Sequence, residues 1–468
     1  MRAAWPVALA LAAGLGLRLW MLGPVFDVNG DSVIYGQLAR NLLEHGRYAL
    51  NGAGSVLDPT LIRLPGYPLF LAACFRLFGM ENYVAAVWVQ IGLELGGCLL
   101  LAGFVRRIAP ERMKNGAALT ALFLAALCPF TASYAVLTLA EAPTLFSIAL
   151  ALWALARFCD GPEWTSALAF TFAVVWAAML RPDGALVGAA LVIPMGMALK
   201  CSGLTRAKKL RMALACGVLG ALPFAAWTVR NWEVFHVFEP LAPRQATDPG
   251  EAKIGGWESW VKTWCLDFNS TYEIYWDVPG GPLDASELPE RAFDSPAQRV
   301  ETLALADAYN RGGYALTPQL DAGFARLAAE RVAAHPLRSD VLLPLGRLAD
   351  MTLRPRVENL PIDLDWWVYA RHHLDTEFSW AYVGLNAVYL LLGVAGMWLY
   401  ARQTEAGSIG HQLWIPMAAY LVLRSALLLT VGAPETRYTL EFFPILCAAG
   451  GLALYSGIRA CVPGRHMR

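Results

Sequence analysis

Residues 83–107 read YVAAVWVQIGLELGGCLLLAGFVRR, an apolar run closed by Arg106 and Arg107. As a helix it is long enough to cross the roughly 30 Å of hydrocarbon in a bilayer. Further runs that qualify or nearly do lie at 5–22, 116–136, 140–158, 164–180, 184–199, 210–229, 380–401, 411–431 and 438–458. Together they predict an all-α polytopic membrane protein of about ten transmembrane helices. The division between 116 and 199 is the least sharply drawn, because the runs there are short and close together. Composition agrees: 57% of the 468 residues are hydrophobic and 16% charged, against about 25% charged in an average globular protein, and mean hydropathy is +0.44. A disordered, collagenous or ordinary cytosolic chain is excluded.

Basic residues orient the spans, since they favour the cytoplasmic side. Arg112 and Lys114 join Arg106 and Arg107 after the second span; Lys200, Arg206, Lys208, Lys209 and Arg211 follow the sixth; Arg459, Arg465 and Arg468 follow the tenth. The first run follows Arg2 with no small-residue cleavage site after it, so it reads as a retained span rather than a signal peptide. Alternation then predicts a protein of the inner (cytoplasmic) membrane with both termini in the cytoplasm and two large segments outside, 23–82 and 230–379. The second carries 23 acids and 14 bases. The expected division is a transmembrane catalytic portion over 1–229 with the amphipathic outer loop 23–82, an extracytoplasmic domain over 230–379, and three further spans over 380–468. Within the outer domain, 257–282 is aromatic and turn-rich. Thr317 is placed to cap a helix from Pro318 through Phe324, Leu327, Ala328 and Val332 to a stop before Pro336, so the domain is expected to be small and mainly helical.

The 37 bases balance the 37 acids, so nothing resembles the basic stripe of a nucleic-acid binder. The nine cysteines include no CxxC and no zinc spacing with histidine, and read as small buried hydrophobes. Attention falls on ionisable residues at outward helix ends, which are costly beside a membrane and often functional. Asp27 and Asp31 follow the first span, Arg63 precedes a short apolar helix, Glu141 opens the fourth span, Arg181 and Asp183 join the fifth to the sixth, Arg230 closes the seventh, and Arg437 opens the tenth. Converging in one outward cavity, they would suit an anionic lipid-linked donor: guanidinium groups fork onto phosphate, and a carboxylate takes a proton from an attacking hydroxyl. Each has a plainer reading. Asp31 stands where it would cap a helix bearing Ile34, Leu38 and Leu42 on one face, Glu141 where it would favour a helix N-terminus, and the arginines where they would snorkel.

Several stretches carry a resemblance: GDSVIYGQLARNLLEHGRY (30–48), RLPGYPLFLAACFRLFG (63–79), TLAEAPTLF (138–146), LRPDG (180–184), PFAAWTVRNW (223–232) and RYTLEFFP (437–444). In this order the chain resembles the C-type glycosyltransferases, in the branch of the protein O-mannosyltransferases and the lipid A aminoarabinose and galacturonic acid transferases. The likeness spans roughly 10–235 and 380–455, and AAERVAAHPLRSDVLLPLGRL (328–348) looks like a segment such proteins carry in the outer domain.

The resemblance implies a polyprenyl-phosphate sugar donor and inverting transfer to a cell-envelope acceptor, whether lipid, glycan or protein, on the extracytoplasmic face. It points to Asp31, rather than Asp27, as the catalytic residue. Arg63, Arg181, Arg230 and Arg437 become donor-phosphate ligands, supported by Asp27, Tyr35, Tyr67, Glu141, Asp183, Asn231 and Tyr438. The chain departs from many relatives in having Asp31-Ser32 where they have Asp-Glu, which removes a second adjacent carboxylate. No cofactor is indicated, and no residue pattern supports a divalent metal, although this class of reaction admits one. The expected partners are the lipid-linked donor, the envelope acceptor and membrane lipids. The Gly-Ala-Gly at 52–54 lacks the strand and helix of a nucleotide-binding loop. A transporter or flippase for a lipid-linked anion would also use outward arginines, but no internal repeat of the kind common in transporters is visible. A catalytically silent subunit is a third reading. The sugar, polyprenol length and acceptor are not written in the sequence.

Overall fold

The computed structural model describes residues 4–52, 56–243, 247–251, 254–403 and 409–461; Gly54, Arg465 and Arg468 lie outside this set. The elements run α1 (Ala4–Val25), α2 (Asp31–His45), the short antiparallel pair β1 (Ala49–Asn51) and β2 (Leu57–Pro59), α3 (Gly66–Phe78), α4 (Tyr83–Ile108), α5 (Lys114–Ala126), α6 (Pro129–Ala135), α7 (Glu141–Asp160), α8 (Trp164–Leu180), α9 (Ala185–Cys201) and α10 (Arg206–Phe235). Then follow α11 (Gly255–Lys262), α12 (Phe268–Ser270) with the π-type turn Thr271–Tyr275, α13 (Pro296–Arg311), α14 (Pro318–Ala334), α15 (Leu343–Leu353), α16 (Tyr369–Gln403), α17 (Ile409–Leu428) and α18 (Phe443–Cys461).

Every expected apolar run falls on helix, and the protein is an α-helical polytopic membrane protein. The count of spans is smaller by length: seven helices among the described residues are long and apolar enough to cross, eight if the bent pair α5–α6 is one span. The run 116–136 is broken by a 54° bend between those two helices, where Pro129 starts α6. The expected spans at 164–180 and 411–431 fall on shorter apolar helices, Trp164–Leu180 and Gln412–Leu428.

The break between α5 and α6 frees backbone carbonyls inside the bundle, and a charged residue answers one of them. Arg18, fully buried on α1, donates to Ala126 O at the end of α5 (2.6 Å) and to Gly14 O (2.7 Å). Its charge is met by Glu94 of α4, with Nε to Oε2 at 2.7 Å, and Thr131 of α6 donates to the other Glu94 oxygen at 3.1 Å. Gly14 allows this approach, because a Cβ there would meet Ala126. Neither charge is tolerable alone in such a place; paired and hydrogen-bonded, they lock α1, α4 and the broken helix together. Small residues do the same work elsewhere, with Gly396 of α16 against Ala449 of α18 and Gly451 of α18 against Ala121 of α5.

Between α10 and α16 the chain builds a separate core. Trp257, Trp260 and Trp264 stack on one face of α11 and just beyond it, and Phe324 of α14 meets Trp257 edge-on at 5.1 Å. Thr317 caps α14 as the sequence indicates, accepting from Leu320 N. Buried Arg331 donates to Thr263 Oγ1 and to the carbonyls of Ala292 and Arg291, each at 2.8 Å. This unit is tied to the end of α17 and the segment after it: Thr271 Oγ1 donates to Pro434 O (3.1 Å) and Lys262 Nζ to Thr430 O (3.1 Å). All nine cysteines are free thiols.

Candidate active site

Most candidate side chains sit where a helix of the bundle starts or stops, whereas Arg230 and Asn231 lie within α10, which runs on to Phe235. Gly30, at φ 49°, turns the chain so that Asp31 opens α2, a conformation that costs glycine little. The capping reading of Asp31 does not hold, since no side-chain cap bond forms at this helix end. The carboxylate is instead gripped by two guanidinium groups far apart in sequence. Arg63 Nη2 donates to Oδ1 at 2.6 Å and Arg437 Nη1 to Oδ2 at 3.0 Å. Burial would raise the Asp31 carboxyl, but Arg63 and Arg437 outweigh it and hold it down at about 2.

These three residues line a cavity of about 780 Å³, within the range of ligand sites. Its wall also includes Asp27, Asn29, Tyr134, Phe268, Tyr272, Trp276, Glu358, Asn359 and Glu435. Asp27 is spent on its own loop, accepting from Val28 N (2.7 Å) and Asn29 Nδ2 (2.6 Å). Glu435, which the sequence did not single out, fixes the other side of Arg437: Oε2 lies 2.5 Å from Nε, and Oε1 accepts from the Tyr438 hydroxyl at 2.5 Å. Arg437 is therefore shared between Asp31 and Glu435.

Arg181, Glu141 and Asp183 also come together, but in a buried ionic cluster and not on the cavity wall. Arg181 pairs with Glu141 (2.6 Å), Asp183 (3.1 Å) and Glu441 (3.4 Å). Arg424, fully buried and unremarked in the sequence, pairs with Asp183 (3.1 Å) and Glu441 (2.5 Å). Tyr438 lies between the cluster and the cavity residue Arg437, its ring 5.8 Å from the Arg181 guanidinium and 5.7 Å from that of Arg437. Close packing of Gly66 against Met179 and Leu180 sets the start of α3 on the last turn of α8, just before Arg181.

Arg230 faces the first loop. It donates to Tyr48 O (2.7 Å) and Thr60 O (2.8 Å) and lies over the rings of Tyr48, Trp227 and Phe235. Asn231 is buried and donates to Glu239 O at 2.8 Å. Tyr35 and Tyr67 meet edge-on at 4.9 Å beneath α2; the Tyr67 hydroxyl donates to Gln90, whose amide donates to Leu137 O at 2.7 Å. These residues seat the loop rather than face the cavity. Ser32, where many relatives of the resembled family have a carboxylate, donates to Thr138 O (3.1 Å). Among the described residues the donor set compact enough for a metal is Asp363, His372 and Asp375, none of which lines the cavity.

Residues 60–229 match the family model described as dolichyl-phosphate-mannose-protein mannosyltransferase. Arg63 and Arg181 fall inside this stretch; Asp31, Arg230 and Arg437 fall outside it. No curated protein sequence matches the chain. Among solved structures, the fold is similar to the oligosaccharyltransferase of Archaeoglobus fulgidus crystallised with a tethered acceptor peptide (TM-score 0.51, 13% identity), over 98% of this chain and 51% of that one. A complex of the same organism's oligosaccharyltransferase AglB with an inhibitory peptide and a dolichol-phosphate gives TM-score 0.47 and 12% identity, over 99% and 52%. ArnT from Cupriavidus metallidurans gives 0.38 and 16%, over 97% and 78%. The chain thus spans about half the length of the oligosaccharyltransferases it matches. The family match is confined to residues 60–229, and the likeness to the first oligosaccharyltransferase structure is one of fold.

Proposed function

We propose that the protein is a membrane glycosyltransferase that moves a sugar from a polyprenyl-phosphate donor to a cell-envelope acceptor on the extracytoplasmic face, with inversion. The observation that carries this reading is the pairing of Arg63 and Arg437 on one carboxylate, Asp31, inside a single cavity at one end of the bundle. The matched family's description, which names a dolichyl-phosphate sugar, supports the donor class.

In this reading Arg63 and Arg437 hold the donor phosphate and stabilise its charge as the sugar–oxygen bond breaks, the positioning and electrostatic contributions that usually dominate such transfers. Arg181 and Arg230 act in support, because their N–H groups are engaged with Glu141 and Asp183 and with the carbonyls of Tyr48 and Thr60. Asp31 at about 2 is a weak base while both guanidinium groups grip it. An arriving phosphate competes for those groups, and as they turn to it Asp31 loses cationic support and gains basicity. The carboxylate then accepts the acceptor's proton only once donor is in place. Tyr438 and Glu435 keep Arg437 in position throughout.

Purified protein in detergent, assayed for binding of polyprenyl phosphate, tests the donor site. Loss of binding in both Arg63→Ala and Arg437→Ala is the expected result. Parent-level binding in both moves the phosphate elsewhere.

A further inference from the structure

Much of the cavity wall is left unused by the donor reading, and it is built from two kinds of group. Phe268, Tyr272 and Trp276 recur every four residues from α12 to just past the π-type turn, so their rings cluster on one side, with centroids 6.1, 5.8 and 5.5 Å apart and planes inclined at 44°, 85° and 59°. Tyr272 and Trp276 are 49% and 45% exposed, far more open than the tryptophans of the neighbouring core. All three line the cavity together with Asp31.

The second group is Glu358. Its segment is pinned to the turn carrying Arg437, because buried Arg356 donates to Thr436 O (2.7 Å) and to Thr439 Oγ1. Glu358 Oε1 accepts from the Tyr134 hydroxyl at 3.3 Å, while Oε2 is buried with no partner among the described residues. A buried acceptor left unsatisfied is costly and calls for an explanation. Burial pushes the carboxyl upward, against the pull of Arg356, Arg354 and the Tyr134 hydroxyl. Asn29 and Asn359 add amides to the same wall. Away from the Arg63 and Arg437 pair, the described lining residues include no further base but do include Asp27 and Glu358, a balance that disfavours an anion.

Flat apolar ring faces beside an unfilled carboxylate and amides match a pyranose, which presents C–H faces to aromatic rings and hydroxyl donors at its edge. We propose that Phe268, Tyr272, Trp276 and Glu358 form the acceptor subsite and that the acceptor is an uncharged carbohydrate of the cell envelope, one hydroxyl of which donates to Glu358 Oε2. This rests on the donor reading above. The aromatic face seats the sugar, and Glu358 sets its rotation so that a second hydroxyl is offered to Asp31.

The test uses Glu358→Gln, Tyr272→Ala and Trp276→Ala, with Trp276→Phe as the variant that keeps a ring and folding checked by thermal unfolding in detergent. Two readouts are taken: polyprenyl phosphate binding to the purified protein, and transfer of labelled sugar from a polyprenyl-phosphate sugar to an extract of envelope glycans. The three disruptive variants should bind polyprenyl phosphate like the parent. Their transfer at low extract concentration should fall on the order of tenfold to a hundredfold and recover as extract is raised, whereas Trp276→Phe transfers near the parent rate. Parent-level transfer in all three overturns the subsite. Loss of polyprenyl phosphate binding assigns the aromatic face to the donor lipid and overturns it also. A parent whose labelled product is a protein, with no labelled glycan, overturns the carbohydrate class. Failure of the donor reading is separable, since it appears as undiminished binding in Arg63→Ala and Arg437→Ala whatever these variants do.

Discussion

Asp31→Asn separates the roles that one carboxylate can play here. Asn keeps the shape and has similar N-capping ability, but Asp31 makes no cap bond; what is lost is the charge between Arg63 and Arg437. The carboxyl is held at about 2 against an ordinary 3.8. A depression of that size is worth about 2 kcal/mol of stability. The folded value lies below the unfolded one, so this contribution is fully present above pH 3.8 and is lost as pH falls towards 2. Asp31→Asn should therefore lower stability by about 2 kcal/mol at neutral pH. For donor binding the sign is opposite. With its competitor for the two guanidinium groups removed, polyprenyl phosphate should bind more tightly than to the parent, while transfer to a hydroxyl acceptor falls by about 10² to 10⁴ for want of a base. Titration of polyprenyl phosphate in detergent, with thermal unfolding and a transfer assay on the same preparations, reads all three. Weaker polyprenyl phosphate binding in Asp31→Asn would refute the reasoning, because the carboxylate would then be helping to hold the phosphate instead of contending with it.

Arg437→Ala should weaken polyprenyl phosphate binding roughly tenfold to a hundredfold, the cost of one charged hydrogen bond, and Arg437→Lys should recover only part of it because an ammonium cannot fork. Arg230→Ala should leave that binding unchanged in equilibrium titration and instead loosen the first loop, seen as faster proteolysis near Tyr48 and Thr60, whose carbonyls it holds. Arg424→Ala leaves Asp183 and Glu441 to share Arg181 with Glu141 and should cost about 3–5 kcal/mol in chemical unfolding. Asp27→Asn, at a residue bound to its own loop, should transfer at the parent rate. A cysteine at position 290, whose native side chain is 86% exposed, should be labelled from outside the cell in a cysteine-free background; labelling only after the inner face is opened would reverse the proposed topology.

The fold was legible wherever one segment sufficed to decide it. Apolar runs locate helices, and Thr317 with Pro318 marks the start of α14, because both are local signals. The bend between α5 and α6 had a local signal too, in Pro129, but the run 116–136 is apolar on both sides of it and read as one span. Among site residues, Asp31, Arg63 and Arg437 were found because each sits at a helix end, where the sequence carries a mark. Their mutual grip was not legible: Asp31 and Arg437 are 406 residues apart, and only tertiary packing joins them. The same holds for Arg18 with Glu94 and for Arg424 with Glu441. These lie within or beside apolar stretches, where a lone charge shows an unmet need without naming the residue that meets it. Glu358 was hidden among the many acids of the segment 230–379, where nothing local distinguishes a carboxylate on a cavity wall from one in solvent, and Glu435 stands between two apolar runs with nothing local to mark Arg437 as its partner.

The central claim is that Arg63 and Arg437 receive the donor phosphate at Asp31. A structure of the protein with a polyprenyl-phosphate sugar bound tests it most directly. The phosphate should lie within hydrogen-bond distance of both guanidinium groups, with the sugar in the cavity beside Asp31 and Arg181 still paired with Glu141 and Asp183. A phosphate bound at Arg181 or Arg230, with Asp31 still gripped by Arg63 and Arg437, would contradict it.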